Sequence, residues 1–458
     1  MPFFAGRTAG PFVPLVLAPF SFLPTITPAV AADAPLIPAK LDLQDGDTFV
    51  FLGDSITHQR LYTQYFETFF YTRLPARRIR FHNAGVGGAQ AWDALQRMQE
   101  DVTDFKPNYV SILLGMNDGR YQPFNREIFD TYKSDMTEIA KQIRAAGAAP
   151  IFMSPTMFDS RAASLRKNAQ PPERLEEYNS VLAYYGRWLQ HQAIESGSAY
   201  VDMFGPLNRI SLNRRRKDAN FTLIKDAVHP DAPGQVVMAL AMIDQLGAGK
   251  PLSSIVIRTG GRKGPTARVT GGALTNLSYE NGQVEFDWTA DGLPWVLPEN
   301  AQPGMKLTNA DRRVSRETIR IVGLKPAKYE VVIDDTVVAT TGADQLSQPM
   351  QLQRNKKTPQ YQQALQVALL NETKNSKPVG RLRGAWSRFQ RYARLKRDLT
   401  TNPDNEDLQK QMLKQEELME DFEDRVAAAQ EQIADFENRI YAANQPVTRH
   451  YVIRKVTK

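Results

Sequence analysis

Short apolar runs alternate with longer amphipathic runs from Thr48 to about Gly247. The short runs predict β-strands, and the longer runs, with apolar residues at three- and four-residue steps, predict α-helices. The predicted strands are residues 48–52, 79–83, 109–114, 150–153 and 199–203, and the predicted helices are residues 60–73, 91–100, 126–146, 172–195 and 234–246. Strand followed by helix, repeated along the chain, predicts a parallel sheet covered by helices on both faces.

After Leu252 the pattern changes to short β-rich runs that are separated by Gly, Pro and Asn. These runs predict a second, smaller β module, with a strand-turn-strand unit at residues 329–339. They cover residues 254–258, 282–288, 318–322 and 329–334.

Apolar residues from Leu408 to Ile440 then follow a heptad spacing, which predicts one helix with an apolar seam. An earlier helix that carries Leu382 and Trp386 is expected to pack against this seam. Asn402-Pro403-Asp404 is typical of a turn followed by a helix start. The pattern therefore predicts an antiparallel helical hairpin.

These changes divide the chain into a leader, an α/β domain, a β-rich module, a helical hairpin region and a terminal strand. Their expected bounds are residues 1–32, 33–250, 251–356, 357–446 and 447–458. The terminal residues are strand-like in composition, and we expect them to return and pair with the β module. More than one domain is expected because 458 residues exceed one compact core.

The leader has the layout of a secretory signal peptide. Arg7 precedes a mostly apolar stretch at residues 11–23, and Ala29-Val30-Ala31-Ala32 follows as a small-residue cleavage pattern. We expect cleavage after Ala31 or Ala32 and a protein that is periplasmic, cell-surface or secreted; a disordered or mitochondrial-type leader is the alternative. No later stretch is apolar for long enough to cross a bilayer, so a soluble mature chain is expected.

Composition and charge exclude several kinds of site and partner. The chain has no cysteine, which excludes disulfides, thiolate catalysis and cysteine metal sites. The formal charge of +7 is modest for this length. The basic residues at 377–397 are followed by an acid-rich stretch at 404–424, and the two are expected to neutralise each other. Nothing in this pattern calls for a nucleic-acid partner.

Four short segments carry the candidate chemistry. Three of them sit at or just after the ends of predicted strands, and the fourth precedes the last predicted helix of the α/β domain. They are Gly53-Asp54-Ser55-Ile56-Thr57, Asn83-Ala84-Gly85-Val86-Gly87-Gly88, Gly115-Met116-Asn117-Asp118 and Asp226-Ala227-Val228-His229-Pro230. Functional sites of open α/β sheets form beyond the carboxyl ends of the strands, so these segments are expected to meet.

Together the segments supply what acyl transfer needs. Ser55 is the predicted nucleophile and His229 the predicted base, because Asp226 lies three residues earlier and is placed to orient the imidazole ring. The N–H groups of Ser55 and Gly88 and the side-chain amide of Asn117 are the predicted donors to a developing oxyanion. Each segment alone is typical of an ordinary turn; their ordered occurrence favours catalysis.

Five neighbouring residues have other expected roles. Asp54 and Asp118 are expected to brace their loops. Arg120 and Tyr121 are predicted either to contact substrate or to brace the loop after Asn117. His58 is either a substrate contact or a surface histidine, and the surface interpretation is favoured.

The ordered segments resemble the blocks of the SGNH, or GDSL, hydrolases. Ser55 matches block I, Gly88 block II, Asn117 block III, and Asp226 with His229 block V. This resemblance covers roughly residues 48–246, so 33–250 is expected to be an SGNH hydrolase domain. It implies a flavodoxin-like three-layer α/β/α fold and metal-free ester hydrolysis through an acyl-serine intermediate, without a cofactor. The downstream part is similar to long carboxy-terminal extensions of exported bacterial members.

Members of this family act on lipids, thioesters, acetylated sugars and other acyl compounds, so the resemblance leaves the substrate open. The expected export and the lack of a long apolar lid favour removal of small acyl groups, especially acetyl, from a polysaccharide or another polar compound. Trp92 could stack on a sugar or belong to the core. The basic run at residues 214–217 rims the site in one interpretation and is a solvated or acid-paired loop in the other.

Three further hypotheses remain at the level of sequence. The chain could be a lipid or thioester hydrolase, or an acyltransferase, of the same family. It could be a non-catalytic glycan-binding or cell-envelope assembly protein. A metal enzyme built on Asp54, Asp118, Asp226 and His229 is the last hypothesis, and its oxygen-rich ligands would suit magnesium or calcium.

Overall fold

The computed structural model describes residues 40–166, 171–261 and 264–456. The predicted signal peptide at residues 1–32 lies outside the described residues. Within the described part of the chain, no helix is both long and apolar enough to cross a membrane.

A five-stranded parallel sheet forms the centre of the first part of the chain. Its strand order is β2-β1-β3-β4-β5, which is the order of flavodoxin-like folds. The strands are β1 Thr48–Gly53, β2 Arg80–Gly85, β3 Tyr109–Leu113, β4 Ala149–Met153 and β5 Ala199–Val201. The predicted α/β/α fold class is confirmed, and the predicted strands match the observed ones to within two residues at every end.

Helices connect these strands and cover the sheet. They are α1 Ser55–His58, α2 Leu61–Arg73, α3 Ala91–Leu95, α4 Met98–Asp101, α5 Arg126–Ala145, α6 Ser160–Ser164, α7 Pro172–Glu195, α8 Phe204–Arg215 and α9 Ala232–Gln245. A short 3₁₀ turn covers Thr103–Phe105. Helix α2 packs against α9, and α3 packs against α5.

Two details differ from the sequence predictions. The helix predicted at residues 91–100 is split into α3 and α4, because Arg97 leaves helical geometry and directs its guanidinium to buried Asp101. Helix α8 was not predicted, since Gly205 and Pro206 near its start are typical of a turn. Asp202 stabilises that start by accepting a hydrogen bond from the Gly205 N–H at 2.8 Å.

Two further sheets face each other across a second apolar core. The first, in the order β13-β10-β6-β7, contains β6 Ser253–Arg258, β7 Thr266–Thr270, β10 Glu317–Val322 and β13 Met350–Gln351. The second, in the order β12-β11-β14-β9-β8, contains β8 Gly272–Glu280, β9 Gln283–Ala290, β11 Lys328–Ile333, β12 Thr336–Gly342 and β14 Arg449–Lys455. Ile257 and Ile321 of the first sheet and Phe286 and Ile453 of the second are among the residues of this core.

The link between the two sheets, and the residues after β12, contain short helices. They are a 3₁₀ turn at Glu299–Ala301, α10 Gln302–Thr308, α11 Ala310–Val314 and α12 Ala343–Leu346. Helix α10 packs on α9 of the first domain, and Trp295 donates its indole N–H to the carbonyl of Tyr65 at 3.0 Å.

The long helices at the end of the chain pack against the first domain. They are α13 Pro359–Lys374, α14 Gly380–Thr401, α15 Glu406–Glu417 and α16 Phe422–Ala443, and a π-helical turn at Asn375–Val379 joins α13 to α14. Pro378 lies in this turn, and its missing N–H explains why the helical ladder changes there. Helix α13 contacts both α2 and α16.

The prediction of one unbroken seam helix from Leu408 to Ile440 is wrong. The helix ends after α15 and restarts at Phe422, with a turn that contains neither glycine nor proline. The Phe422 ring lies edge-on to Trp386 of α14, with ring centroids 5.0 Å apart. The break is therefore accompanied by packing of Phe422 on α14. The local sequence pattern does not indicate this contact.

A buried ion pair fastens α13 to α2. Lys374 is 1% exposed and Glu67 2% exposed at their side chains, and Lys374 Nζ lies 3.1 Å from Glu67 Oε2. Lys374 also donates to the Tyr71 hydroxyl at 2.9 Å, and Asn375 donates to Glu67 at 2.9 Å. Lys374 Nζ also lies 4.0 Å from Oε1 of Glu437, which is largely buried. Because these groups are shielded from water, both carboxylates depend on Lys374.

We expect Lys374→Met to lower the free energy of unfolding by about 3–5 kcal/mol, since it leaves Glu67 and Glu437 buried without their cation. The double variant Lys374→Met with Glu67→Gln should recover part of that loss. Lys410→Met is the matched control, because Lys410 makes only an exposed pair with Glu406. Equal thermal unfolding midpoints for the Lys374 and Lys410 variants would contradict this prediction.

Candidate active site

Ser55, His229 and Asp226 form a continuous line of hydrogen bonds at the carboxyl edge of the parallel sheet. Ser55 begins α1 directly after β1, and Asp54 caps that helix by accepting the Ile56 N–H at 2.9 Å. Ser55 Oγ lies 2.7 Å from His229 Nε2, and His229 Nδ1 lies 2.6 Å from Asp226 Oδ2. The structure thus joins Ser55 to an Asp226–His229 pair, although His229 lies 174 residues later in the sequence.

The turn from Asp226 to His229 fixes the protonation pattern of the ring. Burial alone would raise the pKa of the Asp226 carboxyl, but hydrogen bonds from His229 and Val228 hold this pKa below its usual value. Its Oδ1 accepts the N–H of Val228 at 3.0 Å and that of His229 at 2.7 Å. An ionised Asp226 requires a proton on Nδ1, so Nε2 is free to accept the proton of Ser55.

Asp159 supports this turn, and sequence reasoning missed it. Ala227 has a φ of +75°, an unfavourable conformation for an L-residue with a side chain. Its carbonyl accepts the N–H of Asp159 at 2.9 Å, and the buried Asp159 carboxylate accepts both Arg215 Nη2, at 2.6 and 2.7 Å, and Thr222 Oγ1 at 2.5 Å. Asp159 has no motif around it, so only its contacts reveal this role.

The predicted oxyanion donors lie on three neighbouring strand ends. Gly88 has a φ of +69°, which favours glycine. Asn117 donates one amide hydrogen to the Ala89 carbonyl at 3.1 Å, and its Oδ1 accepts the Tyr121 hydroxyl at 3.1 Å. The second amide hydrogen of Asn117 remains for a ligand. Among the described residues, the N–H groups of Ser55 and Gly88 have no acceptor.

Tyr121 therefore braces the loop that carries Asn117, which is one of the two roles predicted for it. Arg174 lies over its ring, 5.0 Å from the centroid, and donates to its carbonyl at 3.1 Å. Arg120 is exposed beside it. Tyr121 is itself partly exposed, so contact of either residue with substrate stays a prediction.

Asp54 and Asp118 brace their loops, as expected. Asp118 accepts the Ala91 N–H at 2.7 Å, which ties the Asn117 loop to the start of α3. Burial raises the pKa of both carboxyls to about 7. In the described ranges, no three His, Asp or Glu side chains gather as metal ligands, so the four residues of the metal hypothesis do not converge.

Three other sequence interpretations can be compared with the structure. His58 is half-buried, and its assignment as a surface histidine or a substrate contact stays a prediction. Burial and the nearby cations Arg60, Arg383 and Arg97 lower the pKa of His58 to about 4. Trp92 is partly exposed, and Arg397 lies 4.3 Å above its ring.

The basic run at residues 214–217 is divided by the structure. Arg215 turns inward to Asp159, whereas Arg214, Arg216 and Lys217 are exposed at the end of α8. The inward member supports the Asp226–His229 turn. Arg215 therefore pairs with Asp159 and not with the acid-rich stretch at residues 404–424.

The low pKa of His58 predicts how the stability of the fold changes with pH. In the unfolded chain this group takes up a proton near pH 6.5, whereas in the folded chain it stays neutral until about pH 4. Between about pH 6.5 and pH 4 the unfolded chain binds this proton and the folded chain does not, so the free energy of unfolding decreases as the pH falls through this range. We expect His58→Gln to raise the thermal midpoint relative to wild type at pH 4.5 but not at pH 7.5. A difference between the two proteins that stays constant with pH would contradict this.

Comparison with known proteins adds a family match over this region. Residues 51–237 match the model of the GDSL-like Lipase/Acylhydrolase family. An acetylxylan esterase of Geobacillus stearothermophilus is 27% identical over 228 residues, which cover 45% of this chain and 97% of that protein. A solved structure of an acetylxylan esterase from the same organism is 26% identical, covers 45% of this chain and 97% of its own, and has a TM-score of 0.38.

A solved structure of a gut microbial diltiazem-metabolizing enzyme matches far more of the chain. It covers 92% of this chain and 100% of its own, with a TM-score of 0.74 at 24% identity. This likeness shows that the fold, including the added sheets and the carboxy-terminal helices, is shared with that protein.

Proposed function

Because residues 51–237 belong to the GDSL-like lipase/acylhydrolase family, and the protein is therefore an ester-hydrolysing enzyme, we propose that it removes small acyl groups from a carbohydrate or related polar substrate. Acetyl is the acyl group we expect. The reaction proceeds through an acyl-serine intermediate on Ser55. The observation that carries the proposal is the pair of hydrogen bonds, 2.7 and 2.6 Å long, from Ser55 to His229 and on to Asp226.

The first half-reaction forms the acyl-enzyme. Ser55 Oγ attacks the ester carbonyl carbon while His229 Nε2 takes the hydroxyl proton. Asp226 stabilises the resulting imidazolium. The tetrahedral oxyanion accepts hydrogen bonds from Ser55 N–H, Gly88 N–H and the free amide hydrogen of Asn117. His229 then returns the proton to the leaving alkoxide oxygen, and the C–O bond of the ester breaks.

The second half-reaction releases the acid. Water occupies the place of the departed alcohol, and His229 Nε2 takes one of its protons as its oxygen attacks the acyl carbon. The same donors stabilise the second oxyanion. The proton on His229 passes to Ser55 Oγ as the acyl–serine bond breaks, which restores the starting state.

Polar side chains on the loops near the proposed site support a polar substrate. A cleft of about 170 Å³ beside the Asn117 loop is lined in part by Gln90, Trp92, Arg120 and Arg397. Arg166 donates to the Asp226 carbonyl at 3.0 Å on the other flank. These side chains bind hydroxyl and carbonyl groups more readily than a long alkyl chain. The name of the acetylxylan esterase relative points to the same substrate class.

The predicted leader supports the proposal that the protein acts outside the cytoplasm. Arg7, the apolar stretch and the small residues before Ala32 support export of the mature chain. The amino terminus of the protein recovered from the periplasm or the medium would test this. A terminus at Ala32 or Asp33 is expected, and recovery of the intact chain from the cytoplasm alone would contradict export.

Labelling with a fluorophosphonate followed by peptide mapping should modify Ser55. Ser55→Ala should abolish labelling and ester turnover, and Asp226→Asn should lower kcat by roughly 10⁴-fold, since it disturbs the tautomer of His229. Thermal unfolding midpoints near that of wild type would show that the fold is intact. Labelling at another serine, with turnover retained in Ser55→Ala, would overturn the proposed mechanism.

Asn117→Ala should lower kcat by roughly 10²- to 10³-fold with a small change in KM, because its amide acts on the transition state. Tyr121→Phe should give a smaller loss in the same direction, since it only releases Asn117 Oδ1 from its hydrogen bond. Steady-state kinetics with an aryl acetate measures both. Unchanged kcat in Asn117→Ala would remove this residue from the oxyanion site.

A panel of substrates tests the proposed substrate class. Acetylated sugars should be turned over faster than aryl esters of octanoic or longer acids. A preference for the long chains or for thioesters would favour a lipid or thioester hydrolase, and transfer to an added sugar acceptor would favour an acyltransferase. Glycan binding without turnover of any ester would favour the non-catalytic hypothesis.

A further inference from the structure

One face of α14 contacts the framework of the active site at four successive places. Arg383, Gln390, Arg394 and Arg397 follow one another at steps of seven, four and three residues, so they share one side of the helix. Their contacts are the buried Asp101, the Gly87 carbonyl, Asp93 with the Gly88 carbonyl, and the Trp92 ring. This face of α14 thus lies along the loop that carries the proposed oxyanion donor Gly88.

Gln390 controls the direction of the Gly88 N–H. The Gly87 carbonyl and the Gly88 N–H belong to the same planar trans peptide, so they point in opposite directions. Gln390 is 6% exposed, and its Nε2 donates to the Gly87 carbonyl at 3.0 Å. Holding this carbonyl toward α14 directs the Gly88 N–H away from α14, where it has no acceptor among the described residues.

Arg394 holds the next peptide. Its Nε and Nη2 lie 2.7 Å from the two carboxylate oxygens of Asp93, and Nη2 also donates to the Gly88 carbonyl at 2.8 Å. Asp93 is itself buried and accepts the Gln90 N–H at 2.8 Å, so Arg394 joins the loop to the start of α3. Two consecutive glycines have a wide range of accessible backbone conformations, which is why their peptides need outside support.

We propose that Gln390 and Arg394 are positioning residues of the oxyanion site, so that the carboxy-terminal helical region is a working part of the active site. The proposal rests on the proposed function, because it assigns these residues to the oxyanion of that reaction. They touch no reacting atom and act through the Gly87 and Gly88 peptides. Removing them should weaken transition-state stabilisation and leave substrate binding nearly unchanged.

The test compares Gln390→Met and Arg394→Met with Arg391→Met in the full-length protein. Methionine preserves much of the side-chain length and the helix propensity but donates no hydrogen bond. Arg391 lies on the same helix, is exposed and contacts Gln411 of α15, so it is the matched control. We expect kcat on an aryl acetate to fall about 10-fold or more in the first two variants, and by no more than the roughly 10²- to 10³-fold loss that removal of a whole donor causes.

Three readouts separate positioning from a general loss of structure. KM should stay within about twofold of wild type while kcat and kcat/KM fall together, as expected when only the transition state is affected. Arg394→Lys should recover part of kcat, because an ammonium group can still bind Asp93. Gln390→Met leaves the Arg394–Asp93 ion pair intact. If Arg394→Met lowers the thermal midpoint, the kcat of Gln390→Met therefore tests the positioning role.

The outcomes for this proposal and for the proposed function are distinct. If wild type turns over esters and is labelled at Ser55, but both methionine variants match Arg391→Met in kcat, the positioning role is overturned and the hydrolase stands. A rise in KM with kcat unchanged would also overturn it, because it would indicate a substrate contact. If wild type itself turns over no ester and Ser55 stays unlabelled, the proposed function fails first.

Discussion

Four buried carboxylates determine how distant parts of this chain are held together. A carboxylate that is shielded from water is stable as an ion only if a cation or several hydrogen-bond donors reach it. Glu67, Asp93, Asp101 and Asp159 are each nearly or fully buried. Their distant partners, in the same order, are Lys374, Arg394, Arg383 and Arg215. Three of these partners lie on α13 and α14, so the helical region is fixed to the catalytic domain by charge as well as by apolar packing.

The Asp101 cluster brings positive charge beneath the proposed nucleophile. Asp101 accepts Arg97 at 2.6 Å and Arg383 at 2.7 and 2.8 Å, so two guanidinium groups share one carboxylate. Burial opposes ionisation of Asp101, yet Arg383 and its other partners hold the pKa of that carboxyl well below its usual range. Arg97 also reaches the Gly53 carbonyl at 3.3 Å, just before the turn to Ser55. The same excess of cations helps to keep His58 neutral.

One strained backbone residue, Ala227, lies where the proposed chemistry requires a fixed geometry. The positive φ of Ala227 costs roughly 1–2 kcal/mol for a residue with a side chain, and it lies between Asp226 and His229. The hydrogen bond from Asp159 N–H to the Ala227 carbonyl, and the two N–H groups that reach Asp226, hold this conformation. Arg215 enters the same network from the basic run, so a segment that resembles a solvated loop stabilises the turn.

The sequence by itself determined the parallel sheet and the meeting of Ser55 with Asp226 and His229. Hydrophobic periodicity is a local property, and the carboxyl ends of parallel strands must lie at one edge, so these two facts predicted that the Ser55, Gly88 and Asn117 segments meet. The Asp226–His229 segment precedes the last helix of the domain, and its chemistry together with the family resemblance predicted that it joins them. Tertiary structure alone decided the break before Phe422, the burial of His58, the support from Asp159 and the contact of α14 with Gly87 and Gly88. Gln390 and Arg394 lie about 300 residues beyond that loop. No local pattern encodes which buried carboxylate or carbonyl a distant side chain will reach, because that choice depends on how the finished surfaces pack.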